Sequence, residues 1–391
     1  MTTVVDQPAG GLSDTQRQIV DLAREFAREH IAPHAAEWDR TRQFPRPVID
    51  ELGRLGFLGM TVPERYDGMG LDTVTYLLAL EEIAAADAGV AVSISIQNAI
   101  PATMLTRHGT PAQQERWLKP LARGELLTGF ALSEPDAGSD PAGMRAQAVR
   151  DGAGWVLNGM KAWVTNGATA DLMMVMVRTD GPDGRRGPKG ISTFIVPTST
   201  PGYRAGAPED KMGLRASNTS TVALEDLRLP ADALLGEEGM GFVYSMEGLD
   251  AGRLGIATQA VGIARRALEH AVTYCAERKQ FDTPLRGFQG VQFKLADMAT
   301  RVAAARALTQ AAAARKDRGE DIRQAASMAK LFASETAMWV TTQAVQLFGG
   351  YGYMRDFPVE KLFRDAKVTE IYEGTSEIQR VVIARALTHH G

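Results

Sequence analysis

The chain has 391 residues, of which 45% are hydrophobic and 23% are charged, a composition typical of a globular protein with two or three domains. The 43 basic and 47 acidic residues leave a net charge of −4, which argues against a nucleic-acid binder. The single cysteine, Cys275, excludes an intrachain disulfide framework and a cysteine-rich zinc or iron–sulfur site.

The N-terminal segment 1–11 has no basic residue, so it resembles neither a secretory signal nor an arginine-rich transit peptide. The longest apolar stretch, 88–105, is interrupted by serine, glutamine, asparagine and proline. A stretch with so many interruptions is expected to be a buried helix rather than a membrane span. We therefore expect a cytoplasmic protein that does not bind a membrane.

The first part of the chain, to residue 125, is predicted to be helical. Ser13 and Gln16 have the spacing of a capping box at the start of an amphipathic period. Asp72 can cap a second helix, and Thr110 precedes a proline at the first position of a third.

The middle of the chain, 126–238, has short β-rich runs separated by turn residues, a pattern that predicts a small sandwich or barrel. These runs are 155–157, 172–177, 191–196 and 221–224. The turn cluster 181–190 combines glycines with basic residues. It is compatible with a phosphate-binding loop, but a solvated hairpin tip is favoured because such clusters usually mark turns.

The last part, 239–391, returns to long helical periods at 257–278, 288–316 and 321–348, followed by a final helix after Glu373. This pattern predicts an antiparallel helix bundle. Helices, then strands, then helices predict an α+β fold with segregated regions rather than a doubly wound sheet.

Familiar motifs for several other chemistries are absent. The sequence contains no GxGxxG after a strand, no GxxxxGK[ST], no HExxH and no GxSxG. His30 and His34 have the spacing of metal ligands on a helix, but Pro33 between them disfavours a continuous helix. We therefore expect no metal site.

Two motifs have residues that suit a flat ligand with a polar edge. In FALSEPDAGSD, 130–140, small residues would let the backbone approach a ligand, and Ser139 offers a hydroxyl and an N–H group. In KAWVTNG, 161–167, Trp163 and Thr165 would share one face of a strand. Taken singly, the first motif is also compatible with a simple turn and the second with a core tryptophan.

The segment IYEGTSEIQR, 371–380, is the strongest candidate for a catalytic group. Thr375 or Ser376 can cap the last helix, which places Glu373 in the turn before it. Gly374 gives this turn conformational freedom, and Tyr372 provides an apolar flank. A carboxylate enclosed in this way could have a raised pKa and act as a base, whereas an isolated turn glutamate is usually a solvated charge.

Taken in order, the motifs resemble those of the acyl-CoA dehydrogenase family across nearly the whole chain, and most closely its short-chain (butyryl-CoA) branch. The segments that carry the resemblance are LSEPDAGSD, KAWVTNG, EDKMGLRASNT, LDAGRLGIA, ERKQF, QLFGGYGY and TEIYEGTSEIQR. The resemblance implies an N-terminal α-helical domain over 1–125, a central β-barrel over 126–238 and a C-terminal four-helix bundle over 239–391. It also implies a homotetramer with one FAD in each subunit.

The resemblance assigns roles to individual residues. Those expected to line the flavin or the rest of FAD are Phe130, Leu132, Ser133, Gly138, Ser139, Trp163, Val164, Thr165, Thr375 and Glu377. Those expected to reach the FAD of a neighbouring subunit are Arg278, Phe281, Gln289, Gln346, Gly349 and Gly350. Those expected to contact the acyl-CoA substrate are Ser139, Asp250, Arg253, Tyr372 and Gly374.

Glu373 matches the catalytic base of the family. The implied reaction removes the α-proton of a short- to medium-chain, or short branched, acyl-CoA while flavin N5 accepts the β-hydride, giving a trans-2-enoyl-CoA. Some branches place the base directly before the arginine that matches Arg253, but this chain has Gly252 there. No Arg or Lys occurs in 88–106, where the glutaryl branch has an arginine, so a dicarboxylic substrate is disfavoured.

The resemblance implies electron transfer to an electron-transfer flavoprotein. Two other functions remain open: an acyl-CoA oxidase of the same fold that uses oxygen, and a non-catalytic binding protein, including a DNA-binding relative. The acidic charge balance and the presence of Glu373 argue against the binding protein.

Overall fold

The computed structural model describes residues 11–181 and 187–388. The expectations for the N-terminal segment and for half of the turn cluster 181–190 concern residues 1–10 and 182–186, which lie outside that part of the chain. Within it, a helical region, a sheet and a second helical region follow one another. The predicted α+β fold class is therefore confirmed.

Short helices build the N-terminal region. They are α1 (Asp14–Phe26), α2 (Ala35–Thr41), α3 (Arg46–Arg54), α4 (Thr73–Ala86), α5 (Ala88–Ala99), α6 (Pro101–His108), α7 (Pro111–Gln113) and α8 (Lys119–Ala122). The predicted capping box is present, because the Gln16 N–H donates to Ser13 Oγ at 3.2 Å and the Ser13 N–H donates to Gln16 Oε1 at 3.1 Å. Asp72 and Thr110 also cap α4 and α7 as predicted.

The apolar stretch at 88–105 forms α5 and α6 in the interior. By length and composition, the helical stretch Ala88–His108 could cross a membrane, but 94% of its most apolar window is buried inside the protein. Such burial is typical of a core helix. His30 lies within a π-helical turn, Ala27–Ile31, and His34 lies three residues after that turn. No group of three metal-ligating side chains occurs in the described ranges.

The middle region is one mixed sheet of eight strands. The strands are β1 (Thr128–Ala131), β2 (Gln147–Asp151), β3 (Gly154–Thr165), β4 (Leu172–Arg178), β5 (Ile191–Pro197), β6 (Tyr203–Ala205), β7 (Thr219–Leu229) and β8 (Leu234–Leu235). Their order is β6-β7-β3-β2-β4-β5-β8, with β1 parallel to β4. The four predicted β-rich runs lie within β3, β4, β5 and β7.

The sheet curls around a core of its own. Strands β3 and β5 are not neighbours in the sheet, yet the rings of Trp155 and Phe194 meet edge to face, with centroids 5.2 Å apart. Residues from both halves of the sheet share one buried cluster. The end strands β6 and β8 are not hydrogen-bonded to each other within the described residues.

Long helices form the C-terminal region. They are α9 (Gly241–Glu277), α10 (Gln289–Asp317), α11 (Arg323–Phe348), α12 (Val359–Val368) and α13 (Ser376–Thr388), with a small hairpin of β9 (Lys279–Gln280) and β10 (Thr283–Pro284) after α9. The prediction that the first long helix starts at 257 is wrong, because α9 begins at Gly241. Its early glycines permit close contacts with neighbouring groups instead of ending the helix.

A buried ionic cluster joins the three regions. The Lys361 ammonium on α12 lies 2.9 Å from an Asp87 carboxylate oxygen at the start of α5 and 2.7 Å from one of Asp365. Asp365 also accepts a hydrogen bond of 2.6 Å from the backbone N–H of Leu214, just before β7. Because two buried carboxylates share this cation, both depend on it for charge balance.

We expect Lys361→Met to lower the free energy of unfolding by about 3–5 kcal/mol, because it leaves Asp87 and Asp365 buried without a cation. Lys367→Met on the same helix is the matched control, since Lys367 forms an exposed pair with Glu370 that contributes at most about 1 kcal/mol. Urea unfolding followed by circular dichroism measures both. Equal losses in the two variants would contradict the role given to the cluster.

Candidate active site

The candidate base lies in a sharp turn between α12 and α13. Glu373 and Gly374 both have a positive φ, 52° and 91°. A left-handed conformation is uncommon for a glutamate and is retained only where the surroundings enforce it. The turn is closed by a hydrogen bond of 2.9 Å from the Ser376 N–H to the Glu370 carbonyl.

Three side chains hold the backbone of this turn. Lys330 Nζ donates to the Gly374 carbonyl at 2.7 Å, and Gln379 Nε2 donates to the same oxygen at 2.8 Å. The Tyr372 hydroxyl donates to Gln259 Oε1 on α9. Donors from α11, α13 and the turn itself thus fix a conformation that a glutamate would not adopt alone.

The Glu373 carboxylate is enclosed and incompletely satisfied. Its Oε2 atom is buried and has no hydrogen-bond partner among the described residues. Burial raises the pKa of Glu373 to about 7, although the charges of Lys330 and Arg253 lower it in part. A carboxylate of this kind is close to half ionised near neutral pH, as a general base requires.

Two glycines of α9 leave space for the side chains that pack beside them. A Cβ at Gly252 would overlap Glu373 Oε2 and lie 2.9 Å from Cδ. Three residues further on, a Cβ at Gly255 would overlap Ser95 Oγ and lie 3.6 Å from the Tyr76 hydroxyl. Residues three apart lie on the same face of a helix. The face of α9 that is turned to Glu373 and to the hydroxyls of Ser95 and Tyr76 therefore has no side chain at these two positions.

Asp250 and Arg253 lie on α9 on either side of Gly252 in the chain. Arg253 donates to Asp250 Oδ1, and Arg323 lies 3.8 Å from Asp250 Oδ2. Arg253 Nε is buried without a hydrogen-bond partner in the described chain. Of the predicted substrate residues, Tyr372 and Gly374 adjoin the base in the chain, Arg253 lies close enough for its charge to act on it, and Asp250 is paired with Arg253. No contact among the described residues links Ser139 to this group.

A buried lysine shapes the loop 132–146. Lys161 Nζ donates to the Leu132 carbonyl at 3.1 Å and lies 2.7 Å from Glu134 Oε1. The same carboxylate accepts the N–H groups of Arg145 and Ala146 at 2.6 and 3.0 Å. The two ends of the loop are thereby tied together, which leaves the segment with Gly138 and Ser139 exposed.

The end of β3 presents an exposed indole. The pairing of β3 with β7 shifts register between Lys161 and Val164, and Trp163, with φ 59°, lies in this irregularity. The Trp163 side chain is 67% exposed, whereas that of Val164 is buried in the sheet core. Bulges of this kind re-aim side chains next to functional sites. Because its side chain is buried, Val164 could contact a cofactor only through its backbone.

The other predicted cofactor residues of this group differ in the exposure of their side chains. Phe130 and Leu132 are each 9% exposed and belong to a buried cluster. Thr375 Oγ1 caps α13 by accepting from the Ile378 N–H at 3.3 Å. Glu377, in the first turn of α13, is exposed.

The predicted residues that were expected to reach the FAD of a neighbouring subunit lie at the far end of α9, beside a cavity. Arg278, Gly349 and Gly350 line a cavity of about 450 Å³, and the Arg278 guanidinium lies over the Tyr351 ring at 5.5 Å. From Gly252 to Arg278, α9 covers about 39 Å at about 1.5 Å per residue. The remaining members, Phe281, Gln289 and Gln346, are exposed near this end of α9.

The residues present fit the flavin cofactor that the sequence resemblance implies. A Cβ at Gly138, Gly349 or Gly350 would meet no atom within 4 Å, so a ligand can approach the backbone there. The exposed indole of Trp163 offers a flat apolar surface, and the N-terminus of α13 suits a phosphate group.

Sequence reasoning missed several groups of the site. Lys330, Gln379 and Gln259 hold the base turn, while Lys161 and Glu134 tie the loop. The one sequence signal available was the close spacing of Gly252 and Gly255 on a helix that also contains Gly248 and Gly262. The lysines gave no signal, because each meets its partner only through the tertiary fold.

Comparison with known proteins gives a consistent result. Three family models match: acyl-CoA dehydrogenase N-terminal domain over 13–125, middle domain over 129–227 and C-terminal domain over 239–388. The short-chain specific acyl-CoA dehydrogenase of Bos taurus mitochondria is 45% identical over 95% of this chain and 90% of its own.

Solved structures agree with the sequence comparison. The butyryl-CoA dehydrogenase of Megasphaera elsdenii has a TM-score of 0.94 at 43% identity and covers 97% of this chain and all of its own. A chain solved in a study of the electron transferring flavoprotein of Acidaminococcus fermentans has a TM-score of 0.95 at 45% identity, with 98% and 100% coverage.

We expect Gly252→Ala to displace the Glu373 carboxylate, because the new methyl group would overlap Oε2. A misplacement of about 1 Å costs on the order of 100-fold in rate, so turnover of butyryl-CoA per bound flavin should fall by about that factor. Gly290→Ala is the control, since its Cβ would meet no atom. A Gly252→Ala enzyme as active as this control would contradict the assigned contact.

Proposed function

Because the chain belongs to the acyl-CoA dehydrogenase family, we propose that it oxidises a short acyl-CoA thioester to the trans-2-enoyl-CoA, with Glu373 as the base. One observation carries the proposal: a carboxylate whose buried Oε2 atom has no hydrogen-bond partner in the described part of the chain, held in a left-handed turn against Gly252. An unpaired carboxylate in a strained turn lowers the stability of the protein. A catalytic base, however, needs a carboxylate that is free to accept a proton and has a raised pKa.

Members of this family are FAD-dependent, and FAD, when bound, would supply the acceptor for the hydride that leaves the β-carbon. The residues proposed to hold the flavin are those of the loop tied by Lys161, together with Trp163 and Thr165 at the end of β3. The loop offers exposed backbone at Gly138 and Ser139, and the bulge in β3 turns the indole outward. These features support binding of a flat ring system with polar edges.

The proton step follows from the position of Glu373. The α-C–H of a thioester is a weak acid, so the developing enolate oxygen must be stabilised by donors as the proton leaves. The Glu373 N–H makes no hydrogen bond within the described residues and is free to donate to the thioester carbonyl. The Glu373 carboxylate then takes the proton, and its raised pKa makes that transfer effective near neutral pH.

The packing beside the base supports a short acyl chain. At Gly255, helix α5 approaches α9 so closely that even a methyl group would overlap Ser95 Oγ. Tyr76 and Ser95 are buried on this side, one helical turn from Gly252. The stretch 88–106 lacks a cationic residue, so nothing there would bind a second carboxylate. We therefore propose linear or branched acyl groups of about butyryl size.

We expect Glu373→Gln to retain flavin and to bind butyryl-CoA, but to lose turnover by about 10²–10⁴-fold, because an amide cannot accept the proton. Flavin bleaching after mixing with a series of linear and branched acyl-CoA thioesters measures both activity and chain-length preference. Substantial turnover in this variant, or none of any thioester in the wild type, would contradict the proposal.

The same measurements distinguish the alternative functions. A dehydrogenase that passes electrons to an electron-transfer flavoprotein should remain reduced in air while product is bound, whereas an oxidase should reoxidise quickly and form hydrogen peroxide. A binding protein of this fold would show no bleaching at all. We propose the flavoprotein as the electron acceptor, supported by the family and by the structural likeness to the Acidaminococcus chain.

We also propose a homotetramer in which the cavity around Arg278 contacts the FAD of a neighbouring subunit. The cavity lies about 39 Å along α9 from the base turn, too far for both sets of residues to contact one flavin ring. Phe281 beside it is 90% exposed with a positive φ of 49°, which is unusual for a large apolar side chain on a free surface.

We expect Arg278→Ala to lower both FAD content and the tetramer fraction, because it removes the cation that lines the cavity. Arg318→Ala is the control, since Arg318 forms an exposed pair with Glu320 at the end of α10. Absorbance ratios and multi-angle light scattering give the two quantities. Unchanged values in Arg278→Ala would reject the contact between subunits.

A further inference from the structure

Lys330 is a buried lysine without a paired carboxylate. Its side chain is 0% exposed, and its ammonium forms no ion pair among the described residues. Lys161 and Lys361, in contrast, each lie 2.7 Å from a carboxylate oxygen. A buried ammonium is costly unless charges or hydrogen bonds compensate it, so its position here calls for a functional explanation.

Within the described ranges, this ammonium makes one hydrogen bond, to the turn that carries the base. Lys330 Nζ lies 2.7 Å from the carbonyl oxygen of Gly374, the residue directly after Glu373. Gln379 Nε2 donates to the same oxygen, so the carbonyl would keep one donor if the lysine were replaced. The lysine is therefore not needed merely to satisfy this carbonyl.

The charged and titratable groups around Glu373 show how the charge of Lys330 acts on this carboxylate. Lys330 faces Glu373 from α11 and Arg253 faces it from α9, while the uncharged hydroxyl of Tyr76 approaches it from α4. Tyr372 precedes the base in the turn, and Glu370 and Glu377 flank the turn on the chain. Both cations favour the ionised carboxylate, against the effect of burial.

We propose that Lys330 is a positioning residue that holds a positive charge behind the turn 372–375 and so keeps the Glu373 carboxylate ionised and aimed at the substrate. This inference rests on the proposed function of Glu373. The ammonium stays largely charged at pH 7, because burial lowers the pKa of Lys330 only to about 8. It can therefore act on the base throughout the neutral range.

The direction of the effect follows from the sign of the charge. Removing a nearby cation destabilises the ionised carboxylate, so Glu373 would remain protonated to higher pH. The base is active only when ionised, and the ascending limb of log(kcat/KM) against pH would move upward. A merely structural role would lower the rate by the same factor at every pH.

The test compares Lys330→Gln, Lys330→Met and Lys330→Arg in the flavin-loaded enzyme. Gln keeps a donor for the Gly374 carbonyl without a charge, Met removes both, and Arg restores the charge. For Gln and Met we expect the ascending limb for butyryl-CoA to move up by about one pH unit, the lower end of the effect of a close charge. At about pH 6, kcat/KM then falls about tenfold, and Arg largely restores it.

A second measurement does not depend on turnover. Infrared difference spectra of the resting enzyme follow the carbonyl stretch of the protonated Glu373 carboxyl, assigned by its loss in Glu373→Gln. Its titration midpoint should rise by about one pH unit in Lys330→Gln. Lys119→Met, which removes a lysine paired with Glu115 far from the turn in sequence, is the control and should leave both midpoints unchanged.

The outcomes separate this inference from the proposed function. A wild-type enzyme that does not dehydrogenate any acyl-CoA contradicts the proposed function. An active wild type whose Gln and Met variants keep the wild-type midpoints contradicts the role of Lys330 alone. If Lys330→Met does not fold, the Gln and Arg variants still decide the matter, because they differ in charge while both can donate to the carbonyl.

Discussion

Desolvation of one carboxylate is the constraint on which the rest of the site depends. Glu373 is held where burial opposes its charge and where no protein donor reaches Oε2. The surroundings compensate only in part, through cations that lie close but form no ion pair with it. A full salt bridge would stabilise the protein and abolish the basicity, whereas complete isolation would leave the carboxyl protonated at neutral pH. The site lies between these extremes.

The backbone around the base also gives up some stability to hold the carboxylate in position. The turn uses two successive positive φ angles, and the facing helix has no side chain at Gly252. Both features reduce intrinsic stability, because left-handed residues and helical glycines are unfavourable. Long helices and charge clusters elsewhere provide the rigidity that such a turn requires. Stability is thus concentrated in the scaffold, and strain is confined to a few residues around the base.

Local patterns predicted much of this fold. Caps at Ser13, Asp72 and Thr110 and the four β-rich runs depend on neighbours within a few residues, and the structure has them. The start of α9 was missed because its glycines serve contacts that only the folded chain reveals. The lysines at 161 and 330 were missed for a similar reason, since their partners lie 27 and 44 positions away. The motif around Glu373 identified the candidate base but not the groups that hold it.

The buried cluster around Lys361 also determines which parts of this protein can be exchanged with those of a relative. From the sheet region, the backbone N–H of Leu214 donates to Asp365, and the charge of Lys211 also acts on this carboxylate. Asp87, Lys361 and Asp365, in contrast, contribute charged side chains from two separate helical regions. The two helical regions must therefore be inherited together, whereas a change in the sheet region leaves these three charges paired.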